Sequence, residues 1–157
     1  MFLNEVTNGD DFLIKNINLS EQDIKYLGIV GIKENEVVNV DSNGYFDGSK
    51  VVKIGVKRIL LNSKYANNIE GVCFLKDCKP GDEFTIKNIY GIDNDKLHYL
   101  VDIGICPGEN VQVVGEGYLK GSLVILVNNQ RYSIGKKVVE AIQGEKVLEK
   151  AYQKVLK

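Results

Sequence analysis

The chain is one unit written twice, and that repeat constrains its fold more than any other feature. Gly9-Asp10-Asp11-Phe12-Leu13-Ile14-Lys15-Asn16-Ile17 lines up with Gly81-Asp82-Glu83-Phe84-Thr85-Ile86-Lys87-Asn88-Ile89. After one inserted residue, Tyr26-Leu27 falls on Tyr99-Leu100, Gly31-Ile32 on Gly104-Ile105, and Gly44-Tyr45-Phe46-Asp47-Gly48-Ser49 on Gly117-Tyr118-Leu119-Lys120-Gly121-Ser122. Arg58 and Arg131, Ile69 and Ile142, and Gly71 and Gly144 stay in that register. A single one-residue shift over two copies marks a duplication, and the repeat is the unit that has to fold. The copies divide the chain into residues 1–72 and 73–144, with 145–157 as a distinct tail.

Each copy carries the same order of elements. Alternating apolar residues predict a first strand, through Phe12, Ile14 and Ile17 or Phe84, Ile86 and Ile89. A short helix follows, capped by Ser20 in the first copy and Asp93 in the second, because an oxygen before the first turn accepts free backbone N–H groups. In the second copy Leu97, Leu100 and Val101 share one helical face. Gly104 stops that helix, and Pro107-Gly108 prevents it from resuming. Strands follow at 37–40 or 110–114, at 51–54 or 123–127, and at 58–61 or 131–134, then a one-turn helix and a last short strand. Five short strands with brief connections predict a small closed or half-open barrel, since closure removes exposed edges. In the tail, Leu148, Ala151, Tyr152, Val155 and Leu156 have the spacing of an amphipathic helix, expected over 145–157.

Composition excludes several function classes. With net charge -1 and 26% charged residues, no global positive field is available to hold a phosphate backbone. No apolar run approaches the roughly 18 residues of a membrane helix, and Met1-Phe2-Leu3-Asn4-Glu5 opens no signal peptide. Three cysteines at uneven spacing fit a reducing cytosol better than a disulfide framework. The expectation is a soluble cytoplasmic protein with no nucleic-acid partner and no membrane insertion.

Neither nucleophilic nor acid–base chemistry is readable, because no nucleophile has an activating base at a legible spacing. The chain is read as non-enzymatic, with no catalytic and no cofactor-binding residue assigned. Cys73, Cys78, His98 and Cys106 are the candidate metal ligands, as four N/S donors suit a tetrahedral zinc-type site. Their places in a link and around a helix end favour instead small buried cysteines and a solvated histidine. One histidine equips the chain poorly for ferrous iron, so no resident metal is assigned. Gly115, Gly117 and Gly121 lead into a strand, so they make a hairpin rather than a phosphate loop. Tyr45 and Tyr118 at the loop tips either contact a partner or fold back over their own module.

The run Leu100-Val101-Asp102-Ile103-Gly104-Ile105-Cys106-Pro107-Gly108, with the opening Leu75-Lys76-Asp77-Cys78-Lys79-Pro80-Gly81-Asp82 and the closing Arg131-Tyr132-Ser133-Ile134, resembles the FeoA family of small proteins tied to bacterial ferrous iron uptake. The resemblance implies two SH3-like barrels in tandem, each with a short helix, ahead of the C-terminal helix. It also implies a non-catalytic accessory role exercised by contact with the cytosolic GTPase portion of a FeoB-type ferrous iron transporter. Surfaces proposed for such docking map here to Leu100, Gly104, Ile105, Pro107 and Gly108, to which Tyr118 is added from the loop tip. Similar barrels occur in metal-dependent repressors, so the alternative is a sensory or adaptor module that binds iron or zinc. The first copy has Lys33-Glu34-Asn35 where the second has Cys106-Pro107-Gly108, which predicts a less rigid first turn and a division of labour in which the second copy binds and the first supports.

Overall fold

The computed structural model describes residues 1–147. It is mainly β, with ten antiparallel strands and few helices among the described residues. The chain divides into two compact units, the first Met1–Cys73 and the second beginning at Phe74.

In the first unit β1 (Asp11–Ile17) leads to helix α1 (Glu21–Ile29). Strands β2 (Val37–Asn43), β3 (Lys50–Ile54) and β4 (Lys57–Leu61) follow, then the single turn α2 (Ser63–Ala66) and β5 (Ile69–Phe74). The strand order is β4-β3-β2-β1-β5. The second unit repeats it with β6 (Glu83–Ile89), α3 (Asn94–Asp102), β7 (Asn110–Glu116), β8 (Leu123–Val127), β9 (Gln130–Ile134), α4 (Lys136–Ala141) and β10 (Ile142–Lys146), in the order β10-β6-β7-β8-β9. The repeat register read from the sequence therefore carries into the elements one by one.

Alternation along the strands sends one face of each sheet inward. Phe12, Ile14, Val38, Val40 and Val52 are buried in the first unit, and their counterparts Phe84, Ile86, Val111, Val113 and Ile125 in the second. Register shifts fall at matching places, between Ile14 and Asn16 in the β1–β5 pair and between Gln143 and Gly144 in the β10–β6 pair. The β2–β3 and β7–β8 pairs have them too, between Val40 and Ser42 and between Val113 and Gly115. Such irregularities bend a strand and raise its twist, which curves a small sheet around its own core.

The expected helix over 145–157 differs at its start. Glu145 and Lys146 continue the ladder of β10 opposite Thr85 and Phe84, and Val147 N–H donates to Glu83 O at 2.9 Å. Strand β6 supplies partners for backbone groups that a helix start would leave unmet. Residues 148–157, with the amphipathic face expected on them, lie outside the described residues.

Lys50 is a departure inside the repeat. It holds the place of Leu123 and is equally enclosed, at 8% exposure against 6%. Its Nζ donates to Val6 O at 3.2 Å, Asn8 Oδ1 at 3.0 Å and Asn43 Oδ1 at 2.8 Å. These acceptors are neutral, and burial pushes the ammonium below the usual lysine range. A lysine whose pKa is lower folded than unfolded opposes folding while it is protonated in both states. That opposition is released as pH rises through the lowered value towards the ordinary 10.5. Native protein is therefore expected to gain stability relative to Lys50→Met between pH 7 and 10.5 in urea unfolding. A difference that stays constant over that range shows a solvated ammonium.

Candidate interaction surface

The turn that carries the family signature is built by a helix ending. Asp93 caps α3, its Oδ1 accepting from Lys96 N–H at 2.9 Å. At the other end Gly104 has φ +95°, its N–H donates to Val101 O at 3.0 Å, and Ile105 N–H donates to Leu100 O at 2.8 Å. That pair of bonds is a Schellman motif, which requires a left-handed residue where Gly104 stands and brings together the apolar side chains either side of it. The first unit repeats the motif, with Gly31 N–H donating to Gly28 O at 3.1 Å and Ile32 N–H to Leu27 O at 2.8 Å.

The motif settles where its side chains go. Leu100 and Ile105 are 2% and 0% exposed, so both lie in the core. The expectation that they form a docking surface is corrected: they fasten the helix to the sheet and present nothing outward. Gly104 is half-buried, and only Pro107 and Gly108 at the crest of the following turn are exposed. Glu109 N–H donates to Cys106 O at 3.1 Å across that turn, and Gly108 has φ +96°. The first unit forms the matching turn with Asn35 at φ 69°, Glu36 N–H donating to Lys33 O at 3.3 Å. Asparagine tolerates the left-handed region, so Lys33-Glu34-Asn35 keeps the geometry without proline.

The four candidate metal ligands occupy positions that the other copy fills with unrelated side chains. Cys78, buried, stands where the first unit has the core residue Val6; Cys73, buried in β5, stands where β10 has Lys146. His98 is exposed on α3 at the place of Lys25, and Cys106 is half-buried at the place of Lys33. Among the described residues no group of three or more His, Cys, Asp or Glu side chains is arranged to hold a metal ion.

Exposed apolar area collects at the β2–β3 and β7–β8 loops. Tyr118 is 104% and Leu119 75% exposed, and Tyr45 and Phe46 are 97% and 78%. Neither tyrosine folds back over its module. Each loop is closed at its base: Gly117 N–H donates to Ser122 O at 2.9 Å, while Ser122 N–H and Oγ donate to Leu119 O at 3.0 and 2.5 Å. Ser49 repeats these bonds to Phe46 O at 3.0 and 2.5 Å. A Cβ on Gly117 would stand 2.0 Å from Ser122 Oγ, which is why the loop opens on glycine. Aromatic and aliphatic side chains held outward on a tied loop offer contact area at low ordering cost. The outward exposure of Phe46 and Leu119 beside the two tyrosines is a feature the sequence reading missed; their equivalence in the repeat was the available signal.

A separate cluster belongs to the first unit. The Ser20 hydroxyl at 3.0 Å, Tyr65 at 3.1 Å and Lys64 Nζ at 3.3 Å surround the Asp23 carboxylate. The Ser20 bond and its neighbours hold that carboxyl below the usual range, and the bond to Asp23 pushes the Tyr65 phenol up. The second unit has Lys96 for Asp23 and Val138 for Tyr65, so the cluster joins α1 to α2 in one copy and has no counterpart in the other. No helix among the described residues is long and apolar enough to cross a membrane.

Fold and surface define a tandem of small antiparallel modules that present tied, apolar loop tips. The chain belongs to the FeoA domain family, whose model matches residues 1–72 and again 74–146. Among solved structures it is similar to an iron uptake regulatory protein (FeoA), at 32% identity over 48% of this chain and 97% of that one, with a TM-score of 0.42. The iron(II) transport protein A of Clostridium thermocellum matches at 21% identity over 94% and 88% of the two chains, with a TM-score of 0.44. A manganese-dependent transcriptional repressor matches at 22% identity over 48% of this chain and 42% of its own, with a TM-score of 0.44. No curated protein matches by sequence.

Proposed function

We propose that this protein is a non-catalytic accessory protein of bacterial ferrous iron uptake, acting in the cytoplasm by contact with the GTPase portion of a FeoB-type transporter. The observation that carries the reading is the coincidence of two FeoA domains with two outward, base-tied apolar tips, Tyr45-Phe46 and Tyr118-Leu119. On this reading the link to iron runs through the partner, and the protein holds no ion of its own. Pro107 and Gly108 belong to the presented surface, while Leu100, Gly104 and Ile105 support it from beneath. The test is a titration of the purified chain with the purified cytosolic GTPase domain. Saturable binding is expected, weakened about thirtyfold by Tyr118→Asp with Leu119→Asp, on the ~2 kcal/mol typical of losing an interface aromatic anchor. Absence of saturable binding, or a double variant that binds like the native chain, overturns the reading.

A further inference from the structure

The two loops that carry the exposed tips each border a cleft, and the clefts differ in a way that identifies an occupant. In the second unit the cleft measures about 610 Å³; in the first, the equivalent one measures about 260 Å³, and a separate one of about 360 Å³ beside Tyr45, Val51 and Leu60 has no lysine among the described residues of its lining. Leu123 and Cys78 line the larger one, and Tyr118 and Leu119 rise beside it. In the smaller one Lys50 replaces Leu123, tethered to Asn8, Asn43 and the Val6 carbonyl, so a polar wall stands where the second copy has an apolar one. The rims differ as well. Lys79 and Lys120 border the larger cleft, and neither ammonium enters an ion pair among the described residues. A third lysine there, Lys76, already faces Asp77 at 3.3 Å, and Glu116 is the one carboxylate among the described residues of the lining. The first copy has Asp47 in the place of Lys120 and Asn4 in the place of Lys76.

We infer that the cleft of the second unit receives an acidic peptide segment of the partner protein that inserts one bulky apolar side chain. The inference rests on the contact reading above and names the chemistry of what is contacted. Tyr118 and Leu119 supply exposed apolar surface that an alkyl or aromatic side chain covers favourably, with the nearly enclosed Leu123 and Cys78 forming an apolar floor beneath them. Lys79 and Lys120 supply two uncommitted cations at the rim, where flanking carboxylates meet them without full desolvation. A bare inorganic anion uses only the second set and a neutral apolar ligand only the first. The first unit keeps an apolar tip in Tyr45 and Phe46, but its cleft is smaller, is walled by Lys50 and carries Asp47 where the second has Lys120, so it lacks the cationic half of the site. The pair is thereby asymmetric.

The test uses the full chain and three fluorescein-labelled ten-residue peptides: a leucine flanked by aspartates and glutamates, the same peptide with glycine for leucine, and one with the leucine flanked by lysines. The acidic leucine peptide is expected to bind at least tenfold tighter than either of the others and to weaken as salt rises. Lys79→Glu with Lys120→Glu, both exposed and outside the core, is expected to weaken that binding about tenfold or more. Leu123→Lys, which copies the first unit, is expected to abolish it, with circular dichroism reporting whether the variant folds. Equal binding of acidic and basic peptides, or a lysine double variant that binds like the native chain, overturns the inference. So does concentration-dependent dimerisation abolished by the lysine double variant, because the occupant is then a second copy. If the GTPase domain binds the lysine double variant as tightly as the native chain, the contact reading stands and the cleft assignment falls. If the acidic leucine peptide binds and the GTPase domain does not, the assignment stands and the contact reading falls.

Discussion

Gly144→Ala is expected to remove a large share of the second unit's stability, and Gly71→Ala to do the same to the first. An added Cβ at Gly144 would stand 1.9 Å from Thr85 O and 2.9 Å from the Phe84 ring. At Gly71 the same atom would stand 2.0 Å from Leu13 O and 2.7 Å from the Phe12 ring. These obstacles are a ladder carbonyl and the largest buried side chain of each core, so neither swings away as a flexible surface side chain does. Forcing extra volume into a packed core costs typically 1–3 kcal/mol and more where backbone must move, so about 3 kcal/mol or more is expected here. A unit of this size holds roughly 4–10 kcal/mol in total. Hydrogen exchange over β6 and β10 for Gly144→Ala, and over β1 and β5 for Gly71→Ala, reads the effect. Native-like protection of those strands refutes it.

Ile105→Asp is expected to unfold the second unit, because the family-signature turn buries this side chain. Ile105 is 0% exposed and closes the Schellman motif against Leu100. An unpaired carboxylate forced into that site costs several kcal/mol or drags the helix end open to reach water. Ile105→Val keeps the apolar contact and is expected to cost about 1 kcal/mol. Tyr118→Asp, at a tip that touches little of its own module, is expected to stay within about 0.5 kcal/mol of native. Urea unfolding followed by tyrosine fluorescence separates the three variants. An Ile105→Asp protein that folds like the native chain shows a side chain turned outward after all. Loss of partner binding in that variant reports unfolding, whereas the same loss in Tyr118→Asp reports a missing contact.

Element by element, the order of the fold was legible because its causes are local. Phe12, Ile14 and Phe84, Ile86 alternate, Ser20 and Asp93 cap, Gly104 stops its helix and Pro107-Gly108 turns the chain, and each acts through neighbours a few residues away. Duplication doubled every signal, so an ambiguous stretch in one copy was read from the other. The candidate site was legible only in outline. Leu100 and Ile105 were assigned to the right turn and to the wrong side of it, while Tyr118 was placed on the right loop with its direction open. Glu145 and Lys146 were read into a helix because the strand that holds them, β6, lies far away along the chain.

The sequence by itself therefore determined the number of modules, the order of their strands and the ends of their helices, since periodicity, caps and turns are short-range properties. The tertiary structure alone decided which apolar side chains are covered and which are left outward. It also decided why Gly71 and Gly144 tolerate no side chain, and that Lys50 is enclosed in one copy at the place Leu123 holds in the other. Burial is a relation between residues far apart in the chain, and no local pattern states which distant strand covers a given side chain.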